Sequence, residues 1–321
     1  MSRVVCFGEA LIDFLNTGQQ LDGEMMLNSF TQYPGGAPAN AAVAVARLGG
    51  RAAFAGQLGD DAFGHFLLRA LRRYGVDTAH VAVHETAPTP LAFVFLDAEG
   101  ERSFTFRRDG TADIVLEAAQ ITDAWFADTG IAHFCSNTMT DAHCASVTAQ
   151  FVSRAKAHGA VVSFDVNLRH NLWPDGNVDI DTVNALVYKA DLVKFAREEL
   201  DHLSQGDASA YLSRCFEHGV IAALVTDGPN PLEIRTATAS TTVVPPTVTA
   251  VDTTGGGDAF IGAVLFGLSQ DSKPAVYLAD EARLQRLVAS AAYCGALAVT
   301  RRGAFPSFPA FADVAGIWDA P

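Results

Sequence analysis

Positive charge is scarce in this chain. It has 22 lysines and arginines against 36 aspartates and glutamates, a formal net charge of −14. Nucleic acid demands a basic footprint for its phosphates, and an anionic membrane surface asks for the same, so neither is expected as a partner. Cysteine is sparse as well. Cys6, Cys135, Cys144, Cys215 and Cys294 are five, odd in number and scattered, with no CxxC pair. A disulfide framework and a thiolate zinc site are thereby excluded as expectations; the cysteines read as small buried apolar residues in a reducing cytoplasm. HExxH and clustered histidines are missing, which leaves the nine histidines as ordinary surface or core residues. No stretch approaches the ~18 consecutive apolar residues that span a bilayer. Glu9 and Asp13 interrupt the opening MSRVVCFGEALIDFLN, so it does not read as a secretory signal, and a cytoplasmic location is the expectation.

What is plentiful is apolar surface. Hydrophobic residues make up 49% of 321, enough for a sizeable core. HFLLRALRRYGVD, VSRAKAHGAVVSFDVN and YLSRCFEHGVIAALVTDG share one pattern: a helical period, a glycine, then usually a β-branched run. Gly75, Gly159 and Gly219 suit the left-handed position that ends a helix. VVSFDV and IAALVT are apolar on both faces, as covered parallel strands must be, and RVVCFG, AAFAGQ, IAHFCS and DLVKFA read as further core strands. The alternation predicts a helix-covered α/β layer structure. Two regions break it. Residues 13–34 lack a helical period, and 88–108 read as a β-hairpin turning at Glu99-Gly100. Both are expected to leave the main sheet as a small lid on one domain spanning residues 1–321. With no internal repeat or linker, no second domain is expected.

The stretch VDTTGGGDAF runs directly into an apolar helix expected over 258–269, with Gly262 and Gly267 as tolerated weak points. The first amides of a helix have no internal partner and carry partial positive charge, and glycines let them approach an anion closely. Gly255, Gly256 and Gly257 could therefore cradle a phosphate, and Asp258 beside them could take a proton from an attacking hydroxyl. An aspartate before a helix is commonly just a cap. A cap requires none of the three glycines, each of which costs conformational entropy. GxxxxGK[ST], GxGxxG after the first strand and a protein-kinase HRD…DFG set are all missing. A second glycine stretch, YPGGAPANAAVAVARLGG, places Gly35-Gly36 ahead of Pro38 at a helix start, with Asn40 in the first turn. Asn40 and Asp13, read as ending the first strand segment, could bind adjacent hydroxyls of a polyol; the plainer reading is a turn and a cap.

GGAPANAAVAVARLG and DTTGGGDAF, at opposite ends of the chain, resemble the two signatures of the ribokinase/phosphofructokinase-B (PfkB) superfamily of carbohydrate kinases. GQLGDDAFG, DVNLR and ALAVTRRGA match in order, so the likeness covers nearly the whole chain. The resemblance implies a ribokinase-like, Rossmann-like three-layer α/β fold with a mostly parallel sheet, a small β-strand lid often used for homodimerisation, and ATP-dependent phosphorylation of a sugar hydroxyl. It implies Asp258 as base and Gly255–Gly257 as anion hole. Asp13, Gly35, Gly36 and Asn40 would bind sugar, with Arg169 near the sugar or phosphates. Arg107 and Arg108, in the hairpin, could be pocket cations, although arginines in a hairpin are more often solvated. Thr226 and Gly228 match part of a nucleotide-binding TxGxxG whose last glycine is Pro231 here. Asp252, Thr254 and Gly303 match a monovalent-cation loop, which brings in K+. The family's NxxE element is altered: Lys194 and Arg197 occupy the Asn and Glu positions, leaving Lys194 on the nucleotide side and Glu198 as the candidate carboxylate for Mg2+, which ATP and water would otherwise hold. Within the superfamily GEALIDF, ERSFTFRRDGTAD, DVNLRHNLWP and VKFAREEL most resemble bacterial fructokinases. The alternatives are 2-keto-3-deoxygluconate kinases, which share DVNLR…LW, and, more remotely, a non-catalytic sugar-binding regulator.

Overall fold

The computed structural model describes residues 1–96 and 102–318. Among them, a first set of strands comprises β1 (Arg3–Phe7), β4 (Arg51–Gly59), β5 (Asp77–His84), β8 (Thr129–Cys135), β9 (Val161–Asp165), β10 (Leu192–Ala196), β11 (Ala222–Thr226), β12 (Leu232–Arg235) and β13 (Ser240–Val243). They form one sheet in the order β13-β12-β11-β10-β9-β8-β1-β4-β5. Its strands from β5 through β11 are all parallel, and only β12 and β13 run against their neighbours. The central strands β9 and β11 bury nearly every residue, which is why their sequences are apolar throughout rather than alternating.

Helices cover both faces. On one side lie α1 (Ala37–Arg47), α2 (Ala62–Arg73), α7 (Gly256–Ser269), α8 (Pro274–Ala279), α9 (Glu281–Ala298) and the short α10 (Phe311–Val314). On the other lie α3 (Ala142–Ala157), α4 (Ile180–Val187), α5 (Arg197–Ser204) and α6 (Ala208–Glu217). The result is a helix–sheet–helix sandwich with a separate apolar core on each side of the sheet. Gly75, Gly159 and Gly219 end α2, α3 and α6 at φ of +82°, +76° and +101°, as read from sequence. Gly262 and Gly267 are not weak points in α7. A methyl at Gly262 would collide with the Ala44 side chain of α1, and one at Gly267 with Leu287 of α9, so their bareness lets three helices pack closely.

A second sheet stands apart from the first. It consists of β2 (Leu11–Asp22), β3 (Met25–Gly35), β6 (Leu91–Leu96) and β7 (Arg102–Arg107), in the order β3-β2-β6-β7. Two antiparallel pairs are joined by the parallel pairing of β2 with β6. The expected turn at Glu99-Gly100 lies outside the described residues. Phe14, Phe30, Phe93 and Phe95 pack ring against ring within this sheet, while Leu21, Met25 and Met26 at the end of its first hairpin are more than half exposed. Asp13 does not end the first strand as the sequence suggested: β1 stops at Phe7, and Asp13 rides on β2 of the second sheet. No helix among the described residues is long and apolar enough to cross a membrane.

Candidate active site

The glycine run opens α7 over the carboxyl ends of the central strands. Gly255, at φ +76°, is the residue before the helix, and a Cβ there would sit 2.9 Å from the Phe308 ring. Both the left-handed backbone and the close approach call for glycine. The helix begins at Gly256, two residues earlier than expected, so Asp258 lies inside its first turn and does not cap it. Its Oδ2 accepts a 2.7 Å hydrogen bond from Asn40 Nδ2 of α1, bringing together the two motifs that lie 218 residues apart. The Gly256 amide reaches the Thr253 carbonyl at only 3.4 Å, and the Gly257 amide donates to no acceptor among the described residues. These are positive groups with room for an anion.

Burial raises the Asp258 pKa. The Asn40 hydrogen bond and the charges of Lys194 and Arg169 pull it back without cancelling the rise. The group therefore stays above the ordinary carboxylate range, in the direction a general base working near neutrality needs.

On one side of Asp258 the second sheet meets α1. Gly35 has no side chain because the Asp13 carboxylate occupies that space, and Gly36, at φ +102°, presses against the Glu9 carbonyl. Glu9 was not singled out from sequence. It is 2% exposed, and its Oε1 accepts from the Ala37 amide at 3.1 Å and from Asn137 Nδ2 at 2.9 Å, so it fastens the start of α1. Arg108 is buried and donates from Nε to Asp113 Oδ2 at 2.6 Å. Its Nε is committed to a protein carboxylate, while its buried Nη1 has no hydrogen-bond partner among the described residues. Arg169 is exposed, and its charge acts on Asp258.

On the other side a cleft of about 470 Å³ runs from Thr226 and Gly228, at the end of β11, past Pro245 and Val248 to Gly256 and Gly257 and the flank of α9. Its walls are mostly apolar and its floor is the glycine turn, a shape suited to a flat base with phosphates directed at the amides. Thr226 Oγ1 donates to the Phe195 carbonyl at 3.2 Å, and Gly228 takes φ +53°. Lys194, expected on this side, does not line the cleft. It is 5% exposed, its Nζ lies 3.0 Å from Asp165 Oδ1, and it points at the underside of Gly257.

The three residues of the expected monovalent-cation loop do meet. Asp252, buried, accepts from the Thr254 amide at 2.8 Å and the Gly303 amide at 3.0 Å, and the Tyr33 ring packs on Gly303. Glu198 is turned to solvent. The buried acid of that segment is Glu199, whose oxygens accept from the Leu168 and Ala196 amides at 2.8 and 2.7 Å. Among the described residues no group of three His, Cys, Asp or Glu side chains is placed to hold a metal ion. Glu9, Asp165 and Glu199 went unnoticed in the sequence. The one signal for Glu9 and Asp165 is an acid at or just beyond the end of an apolar strand, and Glu199 follows in the first turn of the helix after β10.

The profile of the pfkB family carbohydrate kinases matches residues 1–310. The chain is similar to the fructokinase of Xylella fastidiosa, solved with bound ATP, at 42% identity and a TM-score of 0.91 over 98% of this chain and 97% of that one. It is similar also to a fructokinase variant of Vibrio cholerae, solved with fructose, ADP and potassium ion, at 34% identity and a TM-score of 0.87 over 99% of this chain and 98% of that one. A curated relative, probable fructokinase-3 of Arabidopsis thaliana, is 39% identical over 311 residues, 95% of this chain and 88% of its own length. Family profile, full-length relatives and the joined signatures agree: the chain belongs to the pfkB family of carbohydrate kinases.

Proposed function

We propose that the protein transfers the γ-phosphoryl group of ATP to fructose, giving fructose 6-phosphate. The observation that carries this reading is Asp258, hydrogen-bonded to Asn40 on the sugar side and sitting one residue beyond the bare Gly257 amide on the nucleotide side. Phosphoryl transfer asks little of a protein beyond alignment, charge neutralisation and a base, and this junction supplies all three. MgATP enters as substrate, its metal held by phosphates and water, with the base of the nucleotide between the walls near Gly228 and Val248.

Sugar hydroxyls are held by Asp13, Asn40 and the backbone at Gly35-Gly36, with Arg169 at the entrance. Asp258 accepts the proton of the attacking hydroxyl while the amides of Gly255–Gly257 receive charge from the migrating group. The second sheet closes over the sugar and excludes water, which protects ATP from hydrolysis. A monovalent cation would be held at Asp252, Thr254 and Gly303, and potassium is the candidate, as in the Vibrio structure. The exposed end of the second sheet pairs two copies into a dimer, and the enzyme works in the cytoplasm where ATP and the sugar meet.

The rival substrate, 2-keto-3-deoxygluconate, carries a carboxylate that wants an uncompensated cation, and the charge of Arg108 is already offset by Asp113 and Glu9. A non-catalytic regulator would have no use for the base and all three glycines. A coupled ADP-release assay over fructose, 2-keto-3-deoxygluconate, ribose and nucleosides tests the reading. Fructose should give the highest kcat/KM, and turnover on none of them would refute it.

A further inference from the structure

The mechanism above leaves a buried ion pair beside Asp258 unused. Lys194 of β10 and Asp165 of β9 are register partners on neighbouring parallel strands, 5% and 1% exposed, and both stand on the sheet face covered by α7. Lys194 Nζ lies 3.3 Å from where a Cβ of Gly257 would be, beneath the residue before Asp258. On stability grounds the placement is poor. A buried ion pair seldom outperforms apolar residues of the same size, and an ammonium directed at the start of a helix faces its positive end. Both penalties reverse once negative charge arrives from above, as the Asp258 carboxylate or a migrating phosphoryl group.

We propose that Lys194, clamped by Asp165, is a positioning residue for phosphoryl transfer, fixing the first turn of α7 and the Asp258 carboxylate as one pre-formed receiver of negative charge. The clamp fixes the ammonium from below, so its field is aimed before substrate binds and needs no rearrangement during transfer. A methyl at position 257 would sit 3.3 Å from the ammonium, a tight contact that the lysine would have to yield to.

The surroundings fit. Burial works against the Lys194 ammonium, but the carboxylates of Asp165, Glu199 and Asp258 more than offset it, and the group stays charged. Burial raises Asp165, against the pull of Lys194. The other groups facing this centre are Asn40 from α1, Arg169 beyond β9, Glu199 from α5, and His133 and Cys135 from β8. His133 is pushed down to about 3 by burial and Cys135 is pushed up by burial, so both are neutral throughout the assay range.

The inference rests on the kinase reading, and wild-type turnover of fructose tests that reading separately. The test here is the pH profile of kcat/KM for Lys194→Met, Lys194→Arg and Asp165→Asn in the full-length enzyme with fructose and MgATP. Loss of the cation raises the pKa of the base, so the acid limb in Lys194→Met moves to higher pH, with kcat down about 10²-fold and KM little changed. Loss of the neighbouring carboxylate moves the limb the other way in Asp165→Asn, and Lys194→Arg, which keeps the charge, restores it towards the wild-type position. A structural role alone would lower melting temperatures and leave the limbs in place. Unmoved limbs, or limbs that move in the same direction in Lys194→Met and Asp165→Asn, would overturn the proposal. Should the methionine variant not fold, the asparagine and arginine variants decide it.

Discussion

At the scale of the residue, the chemistry turns on a carboxyl whose surroundings pull in two directions. Burial lifts the Asp258 pKa, and Asn40, Lys194 and Arg169 hold it back. Asp258→Asn should cut kcat by about 10³-fold or more while ATP and fructose still bind by calorimetry. The same change removes a charge whose folded pKa is raised. Such a group favours the fold below its unfolded pKa and loses that contribution as pH rises through the folded value, so Asp258→Asn should melt no lower, and in alkaline buffer higher, than wild type. Asn40→Ala deletes the 2.7 Å bond that stabilises the ionised form. Turnover should persist with a raised KM for fructose, and the acid limb of kcat/KM should be displaced to higher pH. Arg108→Met leaves Asp113 buried without its charged partner, a change of the kind that costs about 3–5 kcal/mol, measurable by urea titration. Several of these residues were readable in advance: Asp258, Asn40 and the glycines announced themselves by type and spacing. Glu9, Asp165 and Glu199 did not, because a single acid after an apolar strand looks the same whether it turns inward or out. Glu198 and Glu199 are adjacent and chemically alike, and only the position of α5 on β10 decides which is buried.

At the scale of the element, the parallel strands were legible because burial on both faces leaves an unmistakable apolar run. The glycine stops of α2, α3 and α6 were legible because a left-handed residue is costly for anything with a side chain. Gly219→Ala, in open space at φ +101°, should cost about 1–2 kcal/mol through backbone strain alone. β5, β12 and β13 escaped notice. They lie towards the sheet's edges, where polar residues alternate with apolar ones and the strands merge into loop composition. Gly262 was legible as a glycine but not as a contact, since sequence shows the missing side chain and not the neighbour that fills the space. Gly262→Ala should destabilise by about 1–3 kcal/mol through overpacking against Ala44, and should lower kcat as well, because α1 and α7 carry Asn40 and Asp258.

At the scale of the whole molecule, a large mostly parallel sheet and a small separate one divide the chain between them. Leu21, Met25 and Met26 leave apolar surface at the end of the second sheet. If that surface pairs two copies, Leu21→Lys with Met26→Lys should shift sedimentation equilibrium towards monomer, and an unchanged wild-type monomer would remove the dimer from the picture. The sequence by itself determined the layered α/β class, the helix ends, the detour into a second sheet and the two glycine-rich stretches. Each of these is written in local periodicity or in a residue type that only one backbone geometry tolerates. Tertiary structure alone decided that Asn40 bonds Asp258 across 218 positions, that Arg108 is buried against Asp113, and that Lys194 lies under the helix start rather than on the cleft wall. Those outcomes depend on which strands become neighbours in the sheet and how closely helices pack on it. Such distances are set by the folding of the whole chain and leave no trace in the spacing of residues along it.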